Sequence, residues 1–110
     1  GTMENQLRKR LQTGFISLHI LHHAQNEPVF GGWLLEELHE HGYNSSPGTL
    51  YPILHGMLKE GLLTVEPINV DGKIRKYYSI TESGKNELKL ALSFLDELVD
   101  EIKGGKSHDE

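Results

Sequence analysis

The sequence predicts a mainly α-helical domain with one β-hairpin, which places it in the α+β class. Apolar residues recur at helical spacing in four separate segments of the chain. Between the third and fourth segments, two runs rich in β-branched and aromatic residues flank an Asp-Gly pair, which is typical of a tight hairpin. The length of 110 residues, with 36% hydrophobic and 25% charged residues, fits one globular domain or one domain with an appendage.

The composition excludes several classes of protein and site. The absence of cysteine rules out disulfides and thiolate metal centres. No apolar run approaches the roughly eighteen residues of a membrane span, and the N-terminus has no signal-peptide pattern, so we expect a cytoplasmic protein with no membrane partner. The chain has no glycine-rich phosphate loop and no cysteine nucleophile, and the hairpin turn explains Asp71. We therefore predict no enzymatic activity and no cofactor.

Residues 5–24 are predicted to form an amphipathic first helix that ends before Pro28. Its apolar stripe consists of Leu7, Leu11, Phe15, Leu18 and Leu21. Ile16 and Ile20 lie off this stripe, which is compatible with a second buried face on the same helix.

A shorter second helix is predicted over residues 32–41, where two glycines introduce it and Gly42 ends it. This helix would bury Trp33 or Leu34 together with Leu35 and Leu38. Because tryptophan is highly buried on average, we expect Trp33 to be a core residue rather than a ligand platform.

The third helix has the most informative sequence of the chain. Ser46 is a good N-cap, Pro47 suits the first helical position, and Gly61 provides a C-terminal stop. The apolar side consists of Leu50, Ile53, Leu54, Met57 and Leu58. The opposite side is small and free of acids, and it consists of Gly48, Pro52, His55 and Lys59, flanked by Thr49, Tyr51 and Gly56. An internal proline costs roughly 3 kcal/mol, so a helix with Pro52 on its exposed face is a candidate functional surface.

Residues 63–68 and 74–80 are predicted to form the two strands of a hairpin that turns around Asp71 and Gly72. Pro67 indicates that the first strand is short or has a free edge. The tip and the outgoing strand carry the positive charges of Lys73, Arg75 and Lys76.

Thr81 is predicted to cap a last helix that extends to about Lys103. Its apolar stripe has alternating spacings of three and four and consists of Leu88, Ala91, Leu92, Leu95, Leu98, Val99 and Ile102. At a rise of 1.5 Å per residue the helix is about 33 Å long. So small a domain cannot cover that length, and the stripe therefore predicts a homodimer. Residues 104–110 are expected to be a disordered tail.

Three helices, a two-stranded wing and a long helix are the elements of a winged helix-turn-helix domain (residues 3–80) followed by a dimerisation helix (residues 81–103). In such domains the third helix enters the major groove of DNA and the wing contacts the neighbouring backbone or minor groove. The net charge of −5 opposes DNA binding, but the acids concentrate in the second helix and the C-terminal quarter. Residues 8–10 and 73–76, by contrast, form compact basic groups.

Two motifs of the chain stand at a characteristic distance from each other. The first is Ser46-Pro47-Gly48-Thr49-Leu50-Tyr51-Pro52, followed by Ile53-Leu54-His55 and Lys59-Glu60-Gly61-Leu62. The second is Lys76-Tyr77-Tyr78-Ser79-Ile80-Thr81-Glu82-Ser83-Gly84. Together they resemble the PadR family of bacterial and archaeal transcriptional regulators, and the resemblance extends from about Leu7 to Ile102. The chain length resembles that of the short subfamily with a single C-terminal helix.

The resemblance implies a homodimer that binds a pseudo-palindromic operator in double-stranded DNA. It also implies a repressor that leaves the DNA when a small aromatic or amphipathic effector binds near the dimer interface. The implied DNA contacts are Ser46, Thr49 and Tyr51 on the third helix and Lys73, Arg75, Lys76 and Tyr78 on the wing. The candidate effector-pocket residues of this chain are Phe15, His19 and Phe94.

The chain departs from the family pattern at two places. Many members have Tyr-Gly-Tyr at the start of the second helix, where this chain has Phe30-Gly31-Gly32-Trp33. Some members also carry a tryptophan on the final helix, which this chain lacks. The class of effector is therefore not carried over from the family.

The first helix carries three histidines, His19, His22 and His23. His19 and His23 have the i, i+4 spacing that can hold a metal ion, but the sequence places no carboxylate or cysteine near them. We therefore predict no metal site and expect solvated or interface histidines. The same residues could line an effector pocket or tune it with pH.

The alternative function is that of a winged-helix protein-interaction adaptor. In that interpretation the long helix binds a different protein and the wing is a solvated hairpin. The two functions predict opposite behaviour, because DNA binding depends steeply on salt concentration and loses affinity when wing cations are removed.

Overall fold

The computed structural model of the protein describes residues 5–104, which form four helices and a three-stranded sheet. In chain order the elements are α1 (Gln6–Asn26), β1 (Val29–Phe30), α2 (Gly31–Glu40), α3 (Pro47–Lys59), β2 (Leu63–Val70), β3 (Lys73–Ile80) and α4 (Glu82–Gly104). The predicted α+β class is confirmed, and each predicted helix and strand is present. Gly104 is the last residue of α4, and the rest of the predicted tail lies outside the described residues.

The hydrophobic core lies where α1, α2 and α3 pack against the base of the sheet and the start of α4. It consists of Ile16, Ile20, Leu21, Ala24, Val29, Leu34, Leu38, Leu50, Leu54, Met57, Leu63, Tyr78 and Leu88. On α1 the predicted stripe is wrong in its first half, since Leu7 is 59% exposed and Leu11 is 46% exposed. The second face, with Ile16 and Ile20, is the one that the other helices cover.

On α2, the prediction that Trp33 anchors the core is wrong. Leu34 and Leu38 are fully buried, and their i, i+4 spacing puts them on one face of the helix. Trp33 precedes Leu34 by one residue, so its side chain lies about 100° away from this face around the helix axis. It is 37% exposed, and its ring meets the ring of His23 edge-on at a centroid distance of 5.2 Å.

The sheet is antiparallel with the strand order β1-β3-β2. The sequence did not predict β1, because two residues are too short to show any alternation. Pro67 is tolerated because β2 is an edge strand, as expected. Asp71 (φ 52°) and Gly72 (φ 82°) form a two-residue turn with both residues in the left-handed region, and the Gly72 N–H donates to Asn69 Oδ1 at 2.9 Å. This tight turn extends both strands beyond the predicted limits.

The start of α4 is held by hydrogen bonds and by a close backbone contact. The Thr81 Oγ1 accepts from the Gly84 N–H at 3.0 Å, which confirms the predicted cap. Gly84 is buried against the carbonyl group of Leu62 and the side chain of Ile80. Within residues 5–104, none of the helices has the length and apolar character needed to cross a membrane.

We predict that Gly84→Ala lowers the free energy of unfolding by about 2 kcal/mol. An added methyl group would overlap the carbonyl oxygen of Leu62 and lie 2.7 Å from Ile80 Cγ1, and the backbone there cannot move aside. Urea denaturation followed by circular dichroism measures the change. The matched control is Gly56→Ala inside α3, where nothing lies within 4 Å of the added methyl group. That variant should gain up to about 1 kcal/mol; equal stability of the two variants would contradict the close contact at Gly84.

Candidate nucleic-acid interface

The outward face of α3 has the composition that the sequence predicted. Leu50, Leu54 and Met57 are buried on the inner side of this helix. The outer side is exposed and consists of Gly48, Thr49, Pro52, His55 and Lys59. No carboxylate occurs anywhere from Ser46 to Lys59, so a polyanion approaching this face meets no negative side chain of α3.

At the N-terminus of α3, Ser46 occupies the N-cap position with extended backbone angles, but its side chain does not cap the helix. The hydroxyl instead lies 3.4 Å from Thr49 Oγ1, and both residues are exposed. Helix N-termini favour anions because their first N–H groups lack intrahelical partners. Two outward hydroxyls and a positive helix end are therefore available to a phosphate or a base edge.

Tyr51 is half-buried and contributes to the packing of the helix-turn-helix itself. Its hydroxyl lies so close to Gly31, at the start of α2, that any side chain at Gly31 would overlap it. This contact explains why a glycine opens α2 in this chain. Only part of the Tyr51 ring is available to a partner outside the domain.

The wing presents its cations on two faces. Strand alternation puts Lys73 and Arg75 on one face of β3 and Lys76 on the other. All three side chains are exposed. The guanidinium carbon of Arg75 lies 4.5 Å from the centroid of the Phe30 ring, a cation–π contact that orients its charge.

The prediction that Tyr78 contacts DNA is wrong. Its side chain is 1% exposed and belongs to the core, and burial raises the pKa of its hydroxyl above the ordinary value. The reason is the register of the sheet, since Tyr78 pairs with Val29 on one side and Val65 on the other. Tyr77, one residue earlier, is directed to the opposite face and packs edge-on against Phe30 at 5.5 Å.

A pocket of about 270 Å³ lies between α1 and α4. Its lining residues are Phe15, Leu18, His19, His22, Gln25, Tyr43, Leu88 and Leu92. Two of the predicted effector residues, Phe15 and His19, therefore line one pocket. Phe94 does not line it and is 66% exposed, because around the axis of α4 it lies about 120° from Leu88 and about 160° from Leu92.

The apolar stripe of α4 is covered only near the start of the helix. Leu88 is 6% exposed, and Ala91 and Leu95 are half-buried. The remaining members are between 45% and 70% exposed: Leu92, Leu98, Val99 and Ile102. In the single chain, most of the stripe beyond Leu88 is thus exposed to solvent.

The model of the transcriptional regulator PadR-like family matches residues 20–90, which is more than half of the chain. The chain belongs to the PadR-like family. Its members are transcriptional regulators that bind DNA and are not enzymes, which confirms the predicted resemblance and the predicted absence of catalysis. The arrangement of α3 and the wing is the winged helix-turn-helix of this family.

Relatives of the chain agree with this assignment. It is 46% identical over 100 residues to the transcriptional regulator Rv3488 of Mycobacterium tuberculosis, a match that covers 91% of this chain and 94% of that protein. Among solved structures, it is similar to a PadR family transcriptional regulator from Eggerthella lenta, with a TM-score of 0.79, 28% identity and coverage of 94% and 91% of the two chains. It is also similar to a PadR-like transcriptional regulator from Bacillus cereus, with a TM-score of 0.72, 30% identity and coverage of 88% and 99%.

Proposed function

We propose that this PadR-like protein is a cytoplasmic homodimeric repressor that binds a pseudo-palindromic operator. In each protomer, α3 enters the major groove and the wing contacts the neighbouring backbone. The observation that carries this proposal is the small, exposed, acid-free face of α3 beside a basic wing. Residues 3–80 act as the DNA-binding unit and residues 81–103 as the dimerisation helix.

The proposed DNA contacts are a revised set of the predicted ones. On α3 they are Ser46, Gly48, Thr49, Pro52, His55 and Lys59, with part of Tyr51. On the wing they are Lys73, Arg75 and Lys76. Contacts of the wing cations to phosphates carry no base information, so sequence preference comes from the exposed groups of α3.

The pocket between α1 and α4 is the proposed effector site. Its volume of about 270 Å³ is near the lower limit for small-molecule sites, which suits a compact aromatic or amphipathic molecule. Leu92 belongs to the dimerisation stripe, and Tyr43 belongs to the connection that precedes α3. An occupant of this pocket would therefore contact both the dimer surface and the segment that leads to the DNA-binding helix.

We predict that Lys73→Ala and Lys76→Ala each weaken operator binding several-fold and make its salt dependence shallower. Each phosphate contact that is lost should reduce the slope of log K against log salt concentration by about 0.9. Fluorescence anisotropy with the DNA upstream of the protein's own gene, at several salt concentrations, measures both effects. The control is Lys85→Ala on α4, where an exposed cation is paired with Glu82 and no DNA contact is proposed. Salt-insensitive binding, or equal binding by all variants, would favour the protein-interaction adaptor.

We predict that Leu95→Glu converts the dimer into a monomer at micromolar concentration and weakens operator binding in parallel. The added charge would lie in the middle of the apolar stripe, and two linked half-sites gain affinity through effective concentration. Analytical ultracentrifugation measures the oligomeric state. Ser93→Glu is the matched control, because it adds the same charge to the opposite face of α4. If Leu95→Glu stays dimeric, another surface joins the two protomers.

A further inference from the structure

Three histidines and one carboxylate converge where α1 packs against the end of α2. His19 and His23 come from α1, and His41 is the C-cap residue of α2. One ring nitrogen from each of the three lies within 4.8 Å of the others. Glu37 Oε2, from the last turns of α2, lies 3.1 Å from His41 Nε2 and 3.6 Å from His23 Nε2. We propose that these four side chains bind one divalent transition-metal ion such as Zn²⁺.

The four residues form two pairs with the same spacing. His19 and His23 are four residues apart on α1, and Glu37 and His41 are four residues apart at the end of α2. Each pair thus lies on one helical face, and the packing of the two helices brings the faces together. The sequence prediction of no metal site depended on the absence of a nearby carboxylate, and Glu37 provides that carboxylate from the second helix.

The distances are compatible with a tetrahedral site after a small movement. Ligand nitrogens at about 2.0–2.1 Å from zinc are roughly 3.4 Å apart, so the rings would need to close by no more than about 1.4 Å. His23 and Glu37 are mostly buried, with side-chain exposures of 15% and 21%, and provide the fixed part of the site. His41 is 47% exposed at its side chain, so its ring has room to move.

The environment of His23 favours a ligand in this position. Its Nε2 atom is buried and has no hydrogen-bond partner among residues 5–104, a costly state for a polar atom. Burial, assisted by the neighbouring imidazoles, lowers the pKa of His19 and of His23 below the ordinary value. Both rings are therefore neutral at neutral pH, which is the form that binds metal ions. An ion pair between Glu37 and His41 alone would leave the convergence of the other two histidines unexplained.

The chemistry of the ligands limits the kind of ion. Imidazole suits zinc, cobalt, nickel and copper, whereas calcium and magnesium prefer a shell of oxygen atoms. Three imidazoles, one carboxylate and no thiolate form a typical set for a borderline divalent ion. Solvent reaches the site on the side of His41, which provides a path of entry.

The position of the site has a consequence for DNA binding, and this consequence rests on the proposed function. A bound ion would link α1 to the end of α2, immediately before the connection that leads to α3. His19 also lines the pocket between α1 and α4. Metal binding should therefore change operator affinity by fixing the orientation of the helix-turn-helix relative to α1.

The test is a titration of the full chain with Co²⁺ alone, followed by visible absorption and by the fluorescence of Trp33. Trp33 is the single tryptophan of the chain and lies against the His23 ring, so it reports binding at this site. We expect one Co²⁺ per protomer, an absorption band of tetrahedral intensity, and competition by Zn²⁺. His23→Gln and His41→Gln should each weaken binding by about tenfold or more. The matched control His22→Gln, which removes a neighbouring histidine of α1, should bind as the parent does.

Circular dichroism of each variant verifies folding. His41→Gln is the decisive variant, because the His41 side chain is the most exposed of the four and its substitution disturbs the packing least. The absence of stoichiometric binding by the parent, or equal loss in His22→Gln and His41→Gln, would overturn the metal site. In operator titrations, Zn²⁺ should change the affinity of the parent and leave that of His41→Gln unchanged. An unchanged parent affinity would overturn the effect on DNA binding. A parent that binds Co²⁺ and no operator would instead overturn the proposed function, while the metal site would stand.

Discussion

The structure depends on one junction, where the end of α3, the start of β2 and the start of α4 meet around Thr81. The Thr81 hydroxyl donates to the carbonyl of Gly61 at 2.6 Å, and its backbone N–H donates to the carbonyl of Leu62 at 3.1 Å. Its Oγ1 atom also accepts from the N–H of Gly84 and so starts α4. Gly61, with a φ of 77°, ends α3 in the left-handed conformation that permits this contact. One threonine and two glycines thus fix α3, the base of the wing and α4 relative to one another.

This junction explains why the two family motifs occur together at a fixed distance. Gly61 and Leu62 belong to the first motif, and Thr81 and Gly84 belong to the second. They are about twenty residues apart in the chain because the hairpin of β2 and β3 lies between them. A wing of another length could still close if its strands stayed paired, but a larger residue at Gly84 would overlap the Leu62 carbonyl and the Ile80 side chain and push the start of α4 away from them. The motifs therefore describe the geometry of the domain as much as its proposed contacts with DNA.

Much of the fold was predictable from the sequence, because the decisive signals are local. The exposed face of α3, the cap at Thr81 and the turn at Asp71 follow from helical periodicity and from turn chemistry.

The errors concern which residues the neighbouring elements cover. α1 has two apolar faces, and periodicity alone could not show that Ile16 rather than Leu11 faces the core. Tyr78 was misassigned for a similar reason, since the burial of a residue on a wing depends on the strand beside it. The histidine cluster escaped prediction because Glu37 comes from another helix, and only the spacing of His19 and His23 indicated it.

α1 connects the surfaces on which regulation would act. One side of it lines the pocket shared with α4, another packs against the core, and His19 belongs both to the pocket lining and to the histidine cluster. A ligand at either place changes the DNA affinity only if it binds the DNA-binding arrangement of the protein more tightly or more weakly than another arrangement. The change in DNA affinity cannot exceed that difference in ligand affinity. The pocket lies between α1 and α4, whereas the cluster lies between α1 and the end of α2. In the proposed dimer, an effector in the pocket would thus act on the spacing of the two α3 helices, and an ion in the cluster would act on the orientation of each α3.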